Sequence, residues 1–142
     1  MKIINQEEKI KKKISQLKKR NYKIVMCHGV FDVMHYGHIL HFEEAKKMGD
    51  KLIISITTNK FVKKGFNRPF FDLSVRMSTI AALDIVDYVV PSDYATSIKN
   101  IKLLKPDIYC KGPDYANKKD LTGNLDKELA VLKKNKGKLR FT

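Results

Sequence analysis

Cysteine is scarce. The two residues, Cys27 and Cys110, form no CxxC pair, so a disulfide scaffold and a zinc or redox motif are unsupported and two reduced thiols are expected. No apolar run approaches the roughly 20 residues needed to cross a bilayer. The charged N-terminus lacks the apolar core and cleavage site of a secretory signal. No G-x-G-x-x-G occurs, which argues against a dinucleotide-dependent dehydrogenase. Internal repeats and low-complexity linkers are missing as well. One cytosolic domain spanning residues 1–142 is the expectation, long enough to bury a core.

Acidic residues are also in short supply, 15 against 29 Lys and Arg, for a formal net charge of +14. Such an excess fits either a polyanion footprint or a lysine-rich solvated surface. The solvated surface is preferred. The charge is spread along the chain, and the dense clusters Lys11-Lys12-Lys13 and Lys18-Lys19-Arg20 carry no interleaved aromatics to stack on bases.

What is present is an alternation of strands and helices. Ile3, Ile10, Ile14 and Leu17 mark an amphipathic helix over residues 6–19. Strands are expected at 23–27, 51–56, 87–90 (stopped by Pro91), 107–110 and 138–141. Between them fall helices over 37–47, with Gly49 as a left-handed stop, from an Asp72 cap to Leu83 with Val75, Thr79, Ala82 and Leu83 inward, from a Thr96 cap to Leu104, and through Leu125, Leu129 and Leu132 to Gly137. Repeated βα units imply an α/β fold with a parallel sheet and helices on both faces.

The chemistry is concentrated in His28-Gly29-Val30-Phe31-Asp32-Val33-Met34-His35-Tyr36-Gly37-His38, which follows the first strand and opens a helix. A helix N-terminus in that position favours phosphates. Gly29 permits close approach of a ligand and Gly37 a tight entry into the helix. His35 and His38, at i and i+3, can face one side. Nucleotidyl transfer suits this arrangement. An acceptor oxygen attacks the α-phosphorus of a nucleoside triphosphate, and the protein positions the groups and neutralises charge, with Mg2+ on the phosphates. A metal site is the competitor, because all four histidines (28, 35, 38 and 41) fall within fourteen residues. A zinc site would normally recruit Cys or carboxylate ligands from elsewhere.

The run resembles the HxGH nucleotidyltransferase superfamily in its cytidylyltransferase-like branch. It is most similar to the sugar-phosphate (heptose 1-phosphate) adenylyltransferase domain of bifunctional ADP-heptose synthases. The likeness extends through Ala45-Lys46-Lys47-Met48-Gly49-Asp50, Lys63-Lys64-Gly65-Phe66-Asn67-Arg68-Pro69, Arg76-Met77, Val86-Asp87, Lys105-Pro106-Asp107 and Lys111-Gly112-Pro113-Asp114-Tyr115. It implies a single Rossmann-like domain with a five-stranded parallel sheet of order 3-2-1-4-5, in which strands one and four flank the switch point. It implies catalytic roles for His35, His38 and one of Lys63 and Lys64. Nucleotide contacts are implied at Gly29, Val30, Phe31, Gly37, Arg76, Lys111, Gly112 and Asp114, and acceptor contacts at Asp32, Arg68 and Tyr115. No metal ligand comes directly from the protein, and Mg2+ arrives with the triphosphate. A homodimer is implied too.

The pattern departs from the family in places. His28 stands for the family's Asn, Val30 for its Cys, and the lysine loop is shorter. A Ser/Thr-rich triphosphate motif is missing, so a trimmed domain of a longer polypeptide is expected. The triphosphate (ATP or CTP) and the acceptor (a phosphorylated sugar or polyol) stay open. The alternatives are a glycerol-3-phosphate-type cytidylyltransferase and a catalytically weak nucleotide-binding module.

Overall fold

The computed structural model describes residues 1–63, 65–112 and 124–142. Lys64, Asp114 and Tyr115 lie outside the described residues. Five strands form one parallel sheet: β1 (Ile24–Gly29), β2 (Lys51–Thr57), β3 (Tyr88–Ser92), β4 (Ile108–Lys111) and β5 (Lys138–Phe141). Their order is β3-β2-β1-β4-β5, as the sequence implied. The helices are α1 (Glu7–Lys19), α2 (Tyr36–Lys46), α3 (Leu73–Ala81), α4 (Ile98–Leu104) and α5 (Asn124–Lys134).

Strand alternation sends side chains to two cores. Val25, Cys27, Leu52, Ile54, Ile56 and Val89 pack with Phe42 and Ala45 of α2 and Met77 and Ile80 of α3. Ile24, Met26, Ile53, Val90 and Tyr109 pack with Ile10, Ile14 and Leu17 of α1, Ile101 and Leu104 of α4 and Leu132 of α5. The central strands are buried on both faces and so read as continuous apolar runs.

Several local expectations are corrected. Ile3 lies before α1, in a bridge with Val89 beside the edge strand. The inward face of α3 is Arg76, Met77 and Ile80, while Val75 is exposed. Asp72 occupies the cap position of α3 without a capping bond, because its carboxylate accepts from the Asn59 amide. The cap of α4 is Ser97 rather than Thr96, although the Thr96 hydroxyl accepts the Ile98 N–H at 3.4 Å. Pro91 does not stop β3 but sits inside it, opposite Ile56, which an edge strand tolerates. Gly49 is not left-handed. A Cβ there would lie 2.7 Å from Val25 Cγ2 and 2.9 Å from the Lys23 carbonyl, so close approach explains that glycine.

Candidate active site

The carboxyl end of β1 runs into a loop that returns as α2, and the two imidazoles of the motif build the helix entrance. His35 is the N-cap residue. Its Nδ1 accepts the Gly37 N–H at 3.0 Å, and His38 Nδ1 accepts the His35 N–H at 3.1 Å. This reciprocal cap satisfies two of the orphan amides of a helix start. It also sets the chemistry of the rings. A neutral imidazole that accepts at Nδ1 carries its proton on Nε2. Both histidines therefore present Nε2–H donors, with ring centroids 4.1 Å apart.

The neighbours of the pair hold it in place. Phe31 is buried, adopts φ +51°, and sets its ring edge-on to His38 and to Phe42. Gly29 makes room for that ring, since a Cβ would sit 2.9 Å from Phe31 Cζ. Gly37 does the same for His35, with a virtual Cβ only 2.7 Å from Cε1 of the imidazole. The main-chain N–H of Gly37 is thus held by His35 in this structure.

Asp32 fixes the opposite rim. Its carboxylate accepts from the N–H groups of Phe70 and Phe71 at 2.7 and 2.9 Å and pairs with Arg68 at 3.4 Å. Burial pushes this carboxyl up, but the Phe71 and Phe70 amides and Arg68 bring it below its ordinary value. Arg68 also lies over the Phe70 ring.

Arg76 has a task the sequence did not disclose. It is 1% exposed, and its guanidinium donates to the carbonyls of Phe71, Val30 and Thr57 and to Asn59 Oδ1. It therefore clamps the loop after β1, the end of β2 and the loop before α3. Val30 enters this clamp through its carbonyl.

Lys63 is exposed on the 62–72 loop. Lys111, at the end of β4, lies 2.9 Å from Glu128 Oε2 of α5. Among the described residues nothing lies within 4 Å of a Cβ built at Gly112. The structure thus gathers the His35–His38 pair, Gly29, Phe31 and Gly37 at one end of the sheet, with Lys111 and Gly112 on the adjoining strand. Below them Cys27 and Cys110 touch across β1 and β4. Burial, then the bond to Cys110, raises the Cys27 thiol, and the same bond lowers Cys110.

One residue not selected from the sequence as a ligand contact also reaches this end. His28 Nδ1 lies 2.9 Å from the Ser55 hydroxyl. Its replacement of the family's Asn was the only signal. Among the described residues no three His, Cys, Asp or Glu side chains come together as a metal cage. Nor is any described helix long and apolar enough to cross a membrane.

The cytidylyltransferase-like family profile matches residues 26–137, which includes most of β1, the imidazole pair and β4. Bifunctional protein HldE of Actinobacillus pleuropneumoniae is 42% identical over 111 residues, covering 77% of this chain and 23% of that protein. Bifunctional protein HldE of Campylobacter jejuni is 42% identical over 124 residues, 84% of this chain and 27% of that protein. The chain thus spans about a quarter of the length of these curated relatives. Among solved structures, a lipopolysaccharide core biosynthesis protein from Thermoplasma volcanium superposes with a TM-score of 0.70 at 29% identity, covering 84% of this chain and 95% of that one. Pantoate-beta-alanine ligase from Francisella tularensis, with a TM-score of 0.63 at 18% identity, covers 100% of this chain and 66% of that one, and shares the fold.

Proposed function

From the premise that this chain belongs to the cytidylyltransferase-like family, we propose that it is a nucleotidyltransferase. It moves AMP or CMP from a nucleoside triphosphate to a phosphorylated sugar or polyol and releases pyrophosphate. The observation that carries this reading is the reciprocal cap, which aims two Nε2–H donors from the start of α2. An acceptor phosphate oxygen forms the new bond to the α-phosphorus as the bond to the pyrophosphate oxygen breaks. The negative charge that develops meets the two imidazole N–H donors and a lysine of the 62–72 loop. Such preorganised donors need no reorientation during reaction.

Mg2+ would enter on the triphosphate and supply further positive charge there. The residues fit that arrangement, because the site offers N–H donors and the Asp32 carboxylate is already held by loop amides. Asp114 and Tyr115 are proposed on the nucleotide and acceptor sides, as the resemblance implies. The resemblance to the heptose 1-phosphate adenylyltransferase domain favours a sugar phosphate as acceptor and ATP as donor. We further propose a homodimer, for which the exposed Phe70, Phe71 and Val75 offer apolar surface; light scattering reads its mass.

The test is pyrophosphate release from ATP and from CTP, each with heptose 1-phosphate and with glycerol 3-phosphate. Turnover with ATP and heptose 1-phosphate is expected. Turnover confined to CTP and glycerol 3-phosphate would move the chain to a polyol-phosphate cytidylyltransferase. Nucleotide binding without release under any pairing would leave a binding module.

A further inference from the structure

His28 continues the row Ile24, Met26 on the α4 and α5 side of the sheet, the face opposite α2. Its register neighbour on β2 is Ser55. The pairing of Met26 with Tyr109, carried two residues further, sets Lys111 on its other side. Among the described residues the Ser55 hydroxyl has two hydrogen-bonding contacts, His28 Nδ1 at 2.9 Å and the Asn100 amide Nδ2 at 2.8 Å. Asn100 is buried on α4 and also donates to the Pro91 carbonyl at 3.1 Å.

Asn100 Nδ2 can only donate, so Ser55 accepts from it. The Ser55 hydroxyl hydrogen is itself paired when His28 Nδ1, its other contact among the described residues, accepts it. With Nδ1 accepting, the neutral ring must carry its proton on Nε2. Burial, then the Lys111 cation, lowers the imidazole to about 4, so the ring is neutral near pH 7. Among the described residues Nε2 has no partner. The ring is half-buried at the carboxyl end of β1, beside β4, the switch point where such sheets take their ligands.

We propose that His28 is a substrate-contacting residue, whose Nε2–H, aimed by the Ser55–Asn100 chain, donates a hydrogen bond to an oxygen of the bound nucleotide or of the phosphorylated acceptor. The inference rests on the nucleotidyl-transfer reading and adds to it a third imidazole donor, from the other face of the sheet. A neutral donor discriminates by geometry. A substrate with an oxygen in its path gains a bond, and one without it leaves a half-buried N–H unpaired.

The experiment uses the full chain with 15N-labelled histidine. The imidazole spectrum is expected to show His28 as the neutral Nε2–H tautomer at pH 7. Its Nε2 resonance should move on addition of one of ATP, CTP, heptose 1-phosphate or glycerol 3-phosphate, which names the source of the oxygen. In turnover, His28→Asn keeps a polar atom toward Ser55 but not at the Nε2 position. It should raise KM for that same substrate about tenfold with a smaller change in kcat. His28→Gln, which reaches the Nε2 position, should recover most of the loss.

An Nδ1–H tautomer, or a ring silent to all four compounds, overturns the proposal, and so does equal KM in wild type and His28→Asn. A ring that responds to a nucleotide in a protein that releases no pyrophosphate sinks nucleotidyl transfer while sustaining the His28 contact. Normal turnover with a silent ring does the reverse.

Discussion

The main-chain N–H of His35 donates to Nδ1 of His38 at 3.1 Å, while His35 Nδ1 takes the N–H of Gly37 at 3.0 Å. Helix capping and the proposed ligand chemistry therefore fall to the same two rings. The inner nitrogens close the helix, which places the proton of each neutral ring on Nε2.

Separating those tasks gives the first prediction. His35→Asn supplies a good N-cap residue, which should hold the loss of stability below the roughly 0.5–2 kcal/mol expected on removing a cap altogether. It lacks a donor at the Nε2 position, so kcat should fall about 10^2- to 10^3-fold, the range for loss of one preorganised donor. Pyrophosphate release alongside a urea melt reads both. Retained turnover would remove the imidazole from the mechanism.

Much of the frame was legible because apolar periodicity reports burial directly. The five strands follow from runs such as Leu52-Ile53-Ile54 and the placement of α2 from the motif after β1, while the sheet order comes with the family resemblance. What is not legible shares a physical origin in polar groups satisfied by distant partners. The resemblance implies a nucleotide contact for Arg76, and nothing local shows that three carbonyls from separate loops converge on it. The inward face of α3, expected at Val75, Thr79, Ala82 and Leu83, is misphased for the same reason, because it is centred on the buried Arg76. Asp72 resembled a cap until Asn59 claimed its carboxylate. His28 stood out only as a departure from a pattern, because Ser55 and Asn100 are remote in sequence.

Arg76 supplies the second prediction. Arg76→Met would fill the space while leaving the carbonyls of Val30, Thr57 and Phe71 without this donor. Each unsatisfied buried group costs about 1–3 kcal/mol, so partial relaxation still leaves a loss of roughly 3 kcal/mol or more. Arg76→Lys should recover little, because an ammonium cannot reproduce the fork. Urea denaturation checks both, and a loss below about 1 kcal/mol would contradict the clamp.

Stability should also depend on acid through His28. Burial, then Lys111, holds this ring at about 4, below the ordinary 6.5. Between those values the unfolded chain binds a proton that the folded chain does not. Stability therefore falls as pH drops from about 6.5 to about 4 and levels off below, by on the order of 3 kcal/mol for this group. Asp32, with its lowered carboxyl, acts in the same direction. His28→Asn removes only the histidine contribution. The drop in unfolding free energy between pH 7 and pH 4.5 should be smaller in that variant than in wild type, as chemical denaturation at the two pH values will show.

Asp32→Asn tests the rim. The substitution keeps an acceptor but gives up the charge that strengthens the bonds from Phe70, Phe71 and Arg68. A stability loss of about 1–2 kcal/mol is expected, with faster amide exchange at Phe70 and Phe71. Since this loop carries the candidate lysine, kcat/KM should fall as well. Unchanged exchange at those two amides would mean that Asp32 does not hold the loop.

Gly37 separates fold from function most sharply. Its backbone is not left-handed, and alanine is the better helix former by about 1 kcal/mol, so local propensity favours Gly37→Ala. The added Cβ would nevertheless lie 2.7 Å from His35 Cε1 and 2.9 Å from its Nδ1. The imidazole is the movable partner, and turning it aside costs the protein one capping bond, close in size to the propensity gained. The melting temperature should stay near that of wild type while turnover drops at least tenfold, because a ring displaced by even an ångström no longer places its donor on the phosphate. If turnover survives with the melting temperature, the orientation of His35 at the entrance to α2 is not what the reaction uses.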